Sequence, residues 1–528
     1  MGNTYNIYRI KNDKYDDLLN KIESVGLVEQ KTQTYDNYEM TFYFSEEIEG
    51  NDIWWFDTYK NFFNTDAKSL KNIFYFALLL CKNLDNPKEI YAVSLGKSHF
   101  YLSKFIESDF GINLAVRMGD EKTTILKKSR YFTGIKRHEV SSYENFTINS
   151  YESGESVEHL KIKAENQDIW GDKNIIFADS IQLNINKSPG EMAQIFDEIS
   201  TTLKNKEIIR LPKLEPVNDP VLIELLNSKI IHSIVKNTSI NIEEMSIYGV
   251  NICFRFNEYN YELIYKKGRK LVASSEILST LDISTIALFV ESNDINDIND
   301  IHVRFKIEES GRFTRPLKDL LDFHYKYEEY NYFLKTGKWF KFNETFTEYL
   351  KKSLEQLEIY FKEDLLENDY LIWRAAKQSK IEKGEEVDDK ITYREYYFNL
   401  ELSKKGYELL DRQLKLIQSL DPKGKKYKVE VADLYKDNEI ISVKISNDPQ
   451  ELIYNIEQSK SSLELVKQGL IPFDYDVTSA ALWLALEKPI SSIIEINSIQ
   501  FLLALDAWKK HVEFFKLKPR IYISRHIK

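Results

Sequence analysis

Acidic side chains and a lysine stand on two consecutive β-like runs late in the sequence. Glu430 and Asp433 belong to the first run, Tyr427 to Tyr435, and Lys444 belongs to the second, Glu439 to Ile445. Metal-dependent nucleases need carboxylates to hold Mg²⁺ and a lysine to steady the attacking water or the developing charge. The pattern therefore predicts a nuclease site in which Asp433, Lys444 and Glu430 are the catalytic residues.

The second metal ligand of such a site has no obvious donor. The acid is expected two residues before Lys444, and Ser442 occupies that position. Glu430 lies three residues before Asp433, on the opposite face of a regular strand, so a bulge would have to bring them together. Glu408, on the preceding helix-like run, is the other source of a carboxylate. We therefore expect Mg²⁺ held by Asp433, Glu430 and Glu408, with an ordinary surface hairpin as the alternative.

A basic turn adjoins these two runs. Its four lysines are Lys423, Lys425, Lys426 and Lys428. They are candidates for phosphate contacts in nucleic-acid binding, and a solvated turn is the alternative. The net charge of −11 excludes a chain that coats nucleic acid with basic surface, so any such contact is expected to be local.

Helix-like runs flank the two strands and would position the site. An amphipathic run from Tyr393 to Leu420 precedes them, and a second run from Pro449 to Lys467 follows. The order predicts a C-terminal helix–hairpin–helix unit that would resemble a restriction-endonuclease-like core. In such cores an Asp lies on one strand and an acid-x-Lys triplet on its neighbour.

Hydrophobic patterning gives further elements along the chain. We predict helices at Asp319 to Tyr332, Ser479 to Leu486 and Ile499 to Phe515, and strands at Gly111 to Met118 and Arg520 to Ser524. Helices and strands therefore alternate irregularly, which favours an α+β class.

The length of 528 residues is too great for one ordinary core and predicts several domains. Pro212, Pro216 and Pro220 interrupt the chain and mark a boundary. We expect an N-terminal α+β domain over 1–211, a strand-rich middle domain over 212–330, and a C-terminal α/β domain over 331–528 that carries the candidate nuclease site.

Other classes of protein are excluded by the composition and by missing motifs. The two cysteines, Cys81 and Cys253, form no disulfide framework or zinc spacing, which favours the cytoplasm. The longest apolar run is too short to span a bilayer, so no membrane association is expected. Gly96-Lys97-Ser98 resembles the end of a phosphate loop, but the glycine that such a loop requires is Tyr91 here.

The short motifs of the C-terminal stretch resemble those of a sporadically distributed bacterial family of unknown function and of about this length. The resemblance is carried by Glu395 to Asn399, Val429 to Leu434, Ile441 to Lys444, and Gln468-Gly469. Members of that family are associated with mobile elements and phage defence. The family shows Cys before the Asp and His before the Val-Lys pair, where this chain has Ala432 and Ser442.

The resemblance implies a bacterial antiphage defence protein, and the residues suggest a divalent-metal nuclease, or a degenerate relative, that acts on DNA. The alternative is a non-catalytic defence component that binds a phage protein or a partner subunit. The sequence leaves open whether the protein is an enzyme.

Overall fold

The structure is a computed structural model. It describes residues 3–528 except 47, 54, 64–70, 133–136, 148–149, 237–239, 243–258, 308–310, 329, 386–392, 411–413, 417–427, 471–472 and 497. The chain divides into two compact units. The first comprises residues 1–130, 138–151 and 156–345, and the second comprises 131–137, 152–155 and 346–528. The strand-rich region expected over 212–330 lies within the first unit.

A large sheet organises the first unit. Eleven strands of the described chain take part, and ten of them follow in the order Arg137–Ser142, Leu126–Tyr131, Glu155–Ala164, Ile175–Phe177, Ile181–Ile185, Asn3–Arg9, Ile90–Leu95, Ala77–Asn83, Tyr38–Ser45 and Leu27–Tyr35. The eleventh, Gly119–Asp120, pairs with Glu155–Ala164. The chain enters the sheet at its middle, because Asn3–Arg9 pairs antiparallel with both Ile181–Ile185 and Ile90–Leu95.

Two smaller antiparallel sheets complete the strand content of that unit, apart from the pair Ile48–Asp52 and Lys71–Phe74. One sheet has the order Leu214–Pro216, Lys338–Phe342, Tyr330–Lys335, Leu321–Tyr327, Ile240–Ile242. The other has the order Lys270–Ser274, Asn260–Lys267, Ile301–Ile307, Gly311–Pro316. One apolar core includes side chains from both small sheets.

Short helices cover these sheets. The α-helices of the first unit are Tyr15–Ser24, Phe56–Tyr59, Phe110–Met118, Gln167–Trp170, Met192–Thr202, Pro220–Val235 and Ile283–Ser292. Asp219 caps the sixth helix by accepting from the backbone N–H groups of Val221 and Leu222, and Pro220 stands at its first turn, where a missing N–H costs nothing.

The second unit is built on a mixed sheet. Its order is Glu358–Phe361, Lys518–Ile527, Ser479–Leu486, Glu439–Ile445, Leu434–Lys436 and Glu408–Leu409, and Leu365–Leu366 also pairs with Lys518–Ile527. The central strands are parallel, whereas the last two pairings are antiparallel. The helices are Glu344–Leu354, Glu367–Glu382, Arg394–Ser403, Pro449–Lys467 and Ile499–Phe514. Leu414–Leu416 and Lys428–Glu430 form a separate pair.

The expected strand run from Tyr427 to Tyr435 is interrupted at 431–433, so Asp433 lies just before the strand Leu434–Lys436. A two-residue turn joins that strand to Glu439–Ile445. Asp437 and Asn438 both have positive φ, at 51° and 61°. Asn and Asp tolerate this left-handed conformation, and two such residues give the turn that matches the twist of antiparallel strands. The turn fixes the register in which Leu434 pairs with Ile441.

Several elements differ from the sequence-based expectations. Ser479–Leu486 is a strand and not a helix. All eight of its residues are buried, and a strand covered on both faces has a continuous apolar run without alternation. Phe110–Met118 is a helix and not a strand, because a short apolar run does not separate the two. The expected helix at Asp319 to Tyr332 is mostly the strand pair Leu321–Tyr327 and Tyr330–Lys335.

The expected helix from Tyr393 to Leu420 ends at Ser403, and Glu408 lies on a strand. The expected helix over Ile499 to Phe515 and the expected strand over Arg520 to Ser524 are confirmed. Mixed helices and several antiparallel sheets confirm the α+β class. In the part of the chain that the structure describes, no helix is both long and apolar enough to cross a bilayer.

Candidate active site

The turn between the two strands brings Asp433 against the strand of Lys444. The Asp433 carboxylate accepts a hydrogen bond from the backbone N–H of Val443 at 2.6 Å, and the Asp433 N–H donates to the carbonyl of Ile441 at 3.0 Å. Both bonds reach the strand Glu439–Ile445, and Val443 directly precedes Lys444. Asp433, which immediately precedes the strand Leu434–Lys436, is therefore bonded to the strand that carries Lys444.

Lys444 forms ion pairs with two carboxylates from the flanking helices. Its Nζ lies 3.4 Å from Oε1 of Glu395 and 3.6 Å from Oε2 of Glu451. Glu395 stands in the first turn of Arg394–Ser403, and Glu451 in the first turn of Pro449–Lys467. Both carboxylates therefore stand at helix N-termini, where the helix dipole interacts favourably with negative charge.

A partly buried network anchors the helix that carries Glu395. Arg394 contacts Glu367 with two nitrogens, Nη2 to Oε1 at 2.9 Å and Nε to Oε2 at 2.8 Å. His526 also contacts Oε2 of Glu367 at 2.7 Å. Burial raises the pKa of Glu367, but the hydrogen bonds from His526 and Arg394 outweigh it and hold this pKa below its usual range. These contacts of Arg394 fix the N-terminal end of the helix and thereby position Glu395.

The other carboxylates expected at the site are placed elsewhere or are not described. The Glu408 carboxylate accepts a hydrogen bond from the hydroxyl of Tyr475, and this bond raises the pKa of Tyr475. The backbone of Glu430 lies in the strand Lys428–Glu430, but its side chain is outside the described residues. Ser442, at the position where an acid is expected, is buried.

The basic turn lies largely outside the described residues. Lys423, Lys425 and Lys426 are not described, and of Lys428 only the backbone is, as the start of a short strand paired with Leu414–Leu416. Their role in contacting phosphate stays a prediction.

A metal site at Lys444 does not fit the described side chains. Mg²⁺ is often bound by one or two carboxylates and water, and Glu395 and Glu451 would supply two. The Lys444 ammonium is already within ion-pair distance of both, so it neutralises the charge that would attract Mg²⁺. Among the described residues, no three His, Cys, Asp or Glu side chains form a group that could hold a metal.

Glu451 and Lys444 form an arrangement that is capable of chemistry without a metal ion. Glu451 is about half exposed, so its carboxylate can reach a water molecule, while Lys444 is only 24% exposed. A carboxylate that accepts a proton from water, beside an ammonium group that stabilises developing negative charge, is a general-base arrangement.

The sequence patterns did not identify Glu395 and Glu451. Acidic residues are common in the first turn of a helix, so this feature alone does not distinguish a site residue from a capping residue.

A comparison with known proteins places these residues in a family. Residues 5–469 match the family of unknown function DUF6119. The chain belongs to this family. The DUF6119 match contains Glu395, Asp433, Lys444 and Glu451, so the candidate site lies within the family region. No curated protein matches the chain, and no solved structure does.

Proposed function

We propose that this DUF6119 protein is a bacterial antiphage defence protein whose second unit is a relative of restriction-endonuclease-like nucleases and acts on DNA. The observation on which the nuclease part rests is the hydrogen bond from the backbone N–H of Val443 to the Asp433 carboxylate, which attaches this acid to the strand that carries Lys444. The defence role rests on the family resemblance described from the sequence.

Glu395 and Glu451 extend this proposal beyond the pair found in the sequence. Their contacts with Lys444 gather two further carboxylates at the end of the hairpin. In the proposed enzyme Glu451 takes the proton of the attacking water, and Lys444 stabilises the negative charge that develops on the phosphate. Asp433 is a positioning residue, because its carboxylate holds the backbone next to Lys444.

Cleavage assays test this proposal. Purified protein is incubated with plasmid and with single-stranded DNA, in Mg²⁺, in Mn²⁺ and in EDTA, beside the variants Lys444→Met and Asp433→Asn. Lys488→Met is the matched control, since Lys488 is an exposed lysine of the same unit. We expect Lys444→Met and Asp433→Asn to lose cleavage and Lys488→Met to keep it.

The other outcomes are equally informative. Cleavage that survives both Lys444→Met and Asp433→Asn would place the active site elsewhere and refute the assignment. DNA retention without cleavage by the wild-type protein would indicate a degenerate nuclease. If the wild-type protein neither cleaves nor retains DNA, the nuclease proposal is wrong.

A second candidate is a non-catalytic defence component that binds a phage protein or a partner subunit. Large apolar side chains are exposed in a short segment of the second unit: Tyr360, Phe361, Leu366, Leu371 and Ile372. Concentrated apolar exposure is typical of protein-binding surfaces. If Lys444→Met still protects cells from phage and the double variant Phe361→Asp/Ile372→Asp does not, this candidate is favoured over the nuclease.

A further inference from the structure

A serine and a lysine form a hydrogen-bonded pair in the first unit. The Nζ of Lys338 lies 2.6 Å from the Oγ of Ser108, and both side chains are partly buried. In the part of the chain that the structure describes, no carboxylate lies within ion-pair distance of Lys338 Nζ. A lysine that contacts a serine hydroxyl, with no acid paired to it, has the geometry of the serine–lysine pairs that catalyse acyl transfer.

Local backbone structure holds both side chains in place. Lys338 begins a strand and directly follows the two-residue turn Thr336-Gly337, in which the two φ angles are 44° and 75°. A turn of this kind fixes the register of the strands that it joins. Ser108 directly follows Glu107, whose backbone N–H donates to the first strand of the large sheet at 2.8 Å. The pair is therefore presented by ordered backbone on each side.

The surroundings of Lys338 favour its neutral form. Burial lowers the pKa of Lys338, and the nearby ammonium group of Lys11 acts in the same direction. Three carboxylates act against this shift, those of Asp179, Asp109 and Asp319, but the pKa still lies below that of an ordinary lysine. A neutral amine accepts a hydrogen bond from a serine hydroxyl, whereas an ammonium group can only donate. The contact with Ser108 can therefore serve proton transfer in both directions.

A backbone N–H next to the serine already binds a negatively charged oxygen. The helix Phe110–Met118 begins two residues after Ser108, and the intervening Asp109 has a φ of 55°. The N–H of Asp109 donates to Oδ1 of Asp179 at 2.8 Å, and Asp179 is exposed. In hydrolases whose nucleophilic serine stands at a helix start, the N–H of the next residue stabilises the oxyanion. The Asp179 carboxylate occupies that donor and can be displaced by a substrate oxygen.

We propose that Ser108 and Lys338 form a catalytic pair that hydrolyses a carboxylic ester. The Ser108 Oγ forms a bond to the carbonyl carbon while its proton moves to Lys338 Nζ, and the N–H of Asp109 stabilises the oxyanion. The alcohol leaves and takes the proton from Lys338. A water molecule then attacks the acyl-serine and gives its proton to Lys338, the bond between the carbon and Oγ breaks, and Ser108 regains a proton. This activity is independent of the proposed nuclease, because it uses no residue of the Lys444 group.

Labelling with a fluorophosphonate tests the nucleophile. The phosphorus forms a bond to the oxygen of an activated serine, the serine proton passes to the base, and fluoride leaves. The full-length protein is labelled, and peptide mapping by mass spectrometry locates the modified residue. We expect the label on Ser108, and we expect hydrolysis of p-nitrophenyl acetate to fall as the label is incorporated. Ser108→Ala should take no label, whereas Ser103→Ala, at an exposed serine of the same loop, should react like the wild type.

Variants of Lys338 separate a base from a structural contact. Lys338→Arg keeps a positive charge and a donor towards Ser108 but cannot act as a base, because a guanidinium group does not lose its proton in proteins. We expect both Lys338→Arg and Lys338→Met to lower the labelling rate by about 100- to 10,000-fold, the range that general-base catalysis contributes. Lys104→Met is the matched control, since Lys104 is an exposed lysine of the same loop as Ser108.

The pH dependence of labelling gives an independent readout. Burial and the neighbouring Asp179 raise the pKa of Asp109 to about 6, so Asp109 is ionised above about pH 7. Above this pH the labelling rate of the wild type should rise as Lys338 loses its proton, and it should level off below pH 10.5, the usual pKa of a lysine. Lys338→Arg should lack this rise.

Three results would overturn the proposal. The first is a wild-type chain that takes no label or does not hydrolyse p-nitrophenyl acetate. The second is a label that peptide mapping places on a residue other than Ser108. The third is an equal labelling rate for Lys338→Arg and the wild type, with circular dichroism showing the variant folded. If Lys338→Arg does not fold, the peptide map and the pH profile of the wild-type chain decide, and a rate without the expected rise refutes the role of Lys338.

Discussion

The ion pair between Arg130 and Asp322 in the first unit gives the sharpest test of the packing. Arg130 Nη2 lies 2.6 Å from Oδ1 of Asp322, and the two side chains are 1% and 2% exposed. The Arg130 guanidinium also lies 4.8 Å from the ring centroid of Phe333. Removing one member of a buried pair leaves the other charge in a poorly solvating interior. We expect Arg130→Met, which keeps an aliphatic chain against Phe333, to lower the free energy of unfolding by about 3–5 kcal/mol.

A double-mutant cycle separates the charge from the packing. Arg130→Met and Asp322→Leu are measured singly and together by urea unfolding, followed by tryptophan fluorescence and circular dichroism. Because apolar side chains often replace a buried pair without loss, the double variant should lie within about 1 kcal/mol of the wild type. Lys14→Met is the matched control. Its exposed pair with Asp17, at 3.1 Å, should contribute no more than about 1 kcal/mol.

Two results would refute this reasoning. If Arg130→Met costs no more than Lys14→Met, the pair is not desolvated as its burial indicates. If the double variant loses the sum of the two single losses, the two side chains contribute independently and the ion pair is not what couples them.

Two further predictions concern the first unit. Burial lowers the pKa of Lys318 from 10.5 to about 8, so the unfolded chain binds more protons between these two pH values and stability rises with pH there. Lys318→Met should therefore raise the free energy of unfolding by about 1–3 kcal/mol below pH 8. This gain in stability should shrink as the pH approaches 10.5. A gain that stays the same at every pH in urea titrations would contradict the prediction. Gly111→Ala would place a Cβ 2.2 Å from the carbonyl oxygen of Ser180 and should lower the unfolding midpoint by more than Gly268→Ala, where the Cβ meets nothing within 4 Å and the strain comes from the positive φ of 59° alone. Equal midpoints for Gly111→Ala and Gly268→Ala would contradict this prediction.

Local signals in the sequence identified the hairpin. Asp437 and Asn438 are turn formers between two apolar runs, and the structure has its turn at those residues with Glu439–Ile445 as the return strand. The helix Pro449–Lys467 matches the expected run at both ends. Both features depend on residues close together in sequence, and local patterns carry that information.

Long-range packing decided the features that the sequence patterns missed. The apolar strand Ser479–Leu486 was expected to be a helix, because its continuous apolar run reflects cover on both faces by distant elements. Glu408 was expected on a helix near Asp433, and it lies on a strand with its carboxylate on Tyr475. In both cases the cause is contact with residues that are distant in sequence, so the neighbouring residues do not reveal it.

The sequence by itself determined the strand that carries Lys444 and the two-residue turn that precedes it. Only the tertiary structure decided which side chains meet them. Glu395 and Glu451 contact Lys444 across roughly 50 and 7 positions of sequence because two helix starts converge on the end of one strand. The spacing of residues along the chain determines which side chains are neighbours on one helix or strand. A site forms where several helices and strands pack together, and this packing depends on the whole fold.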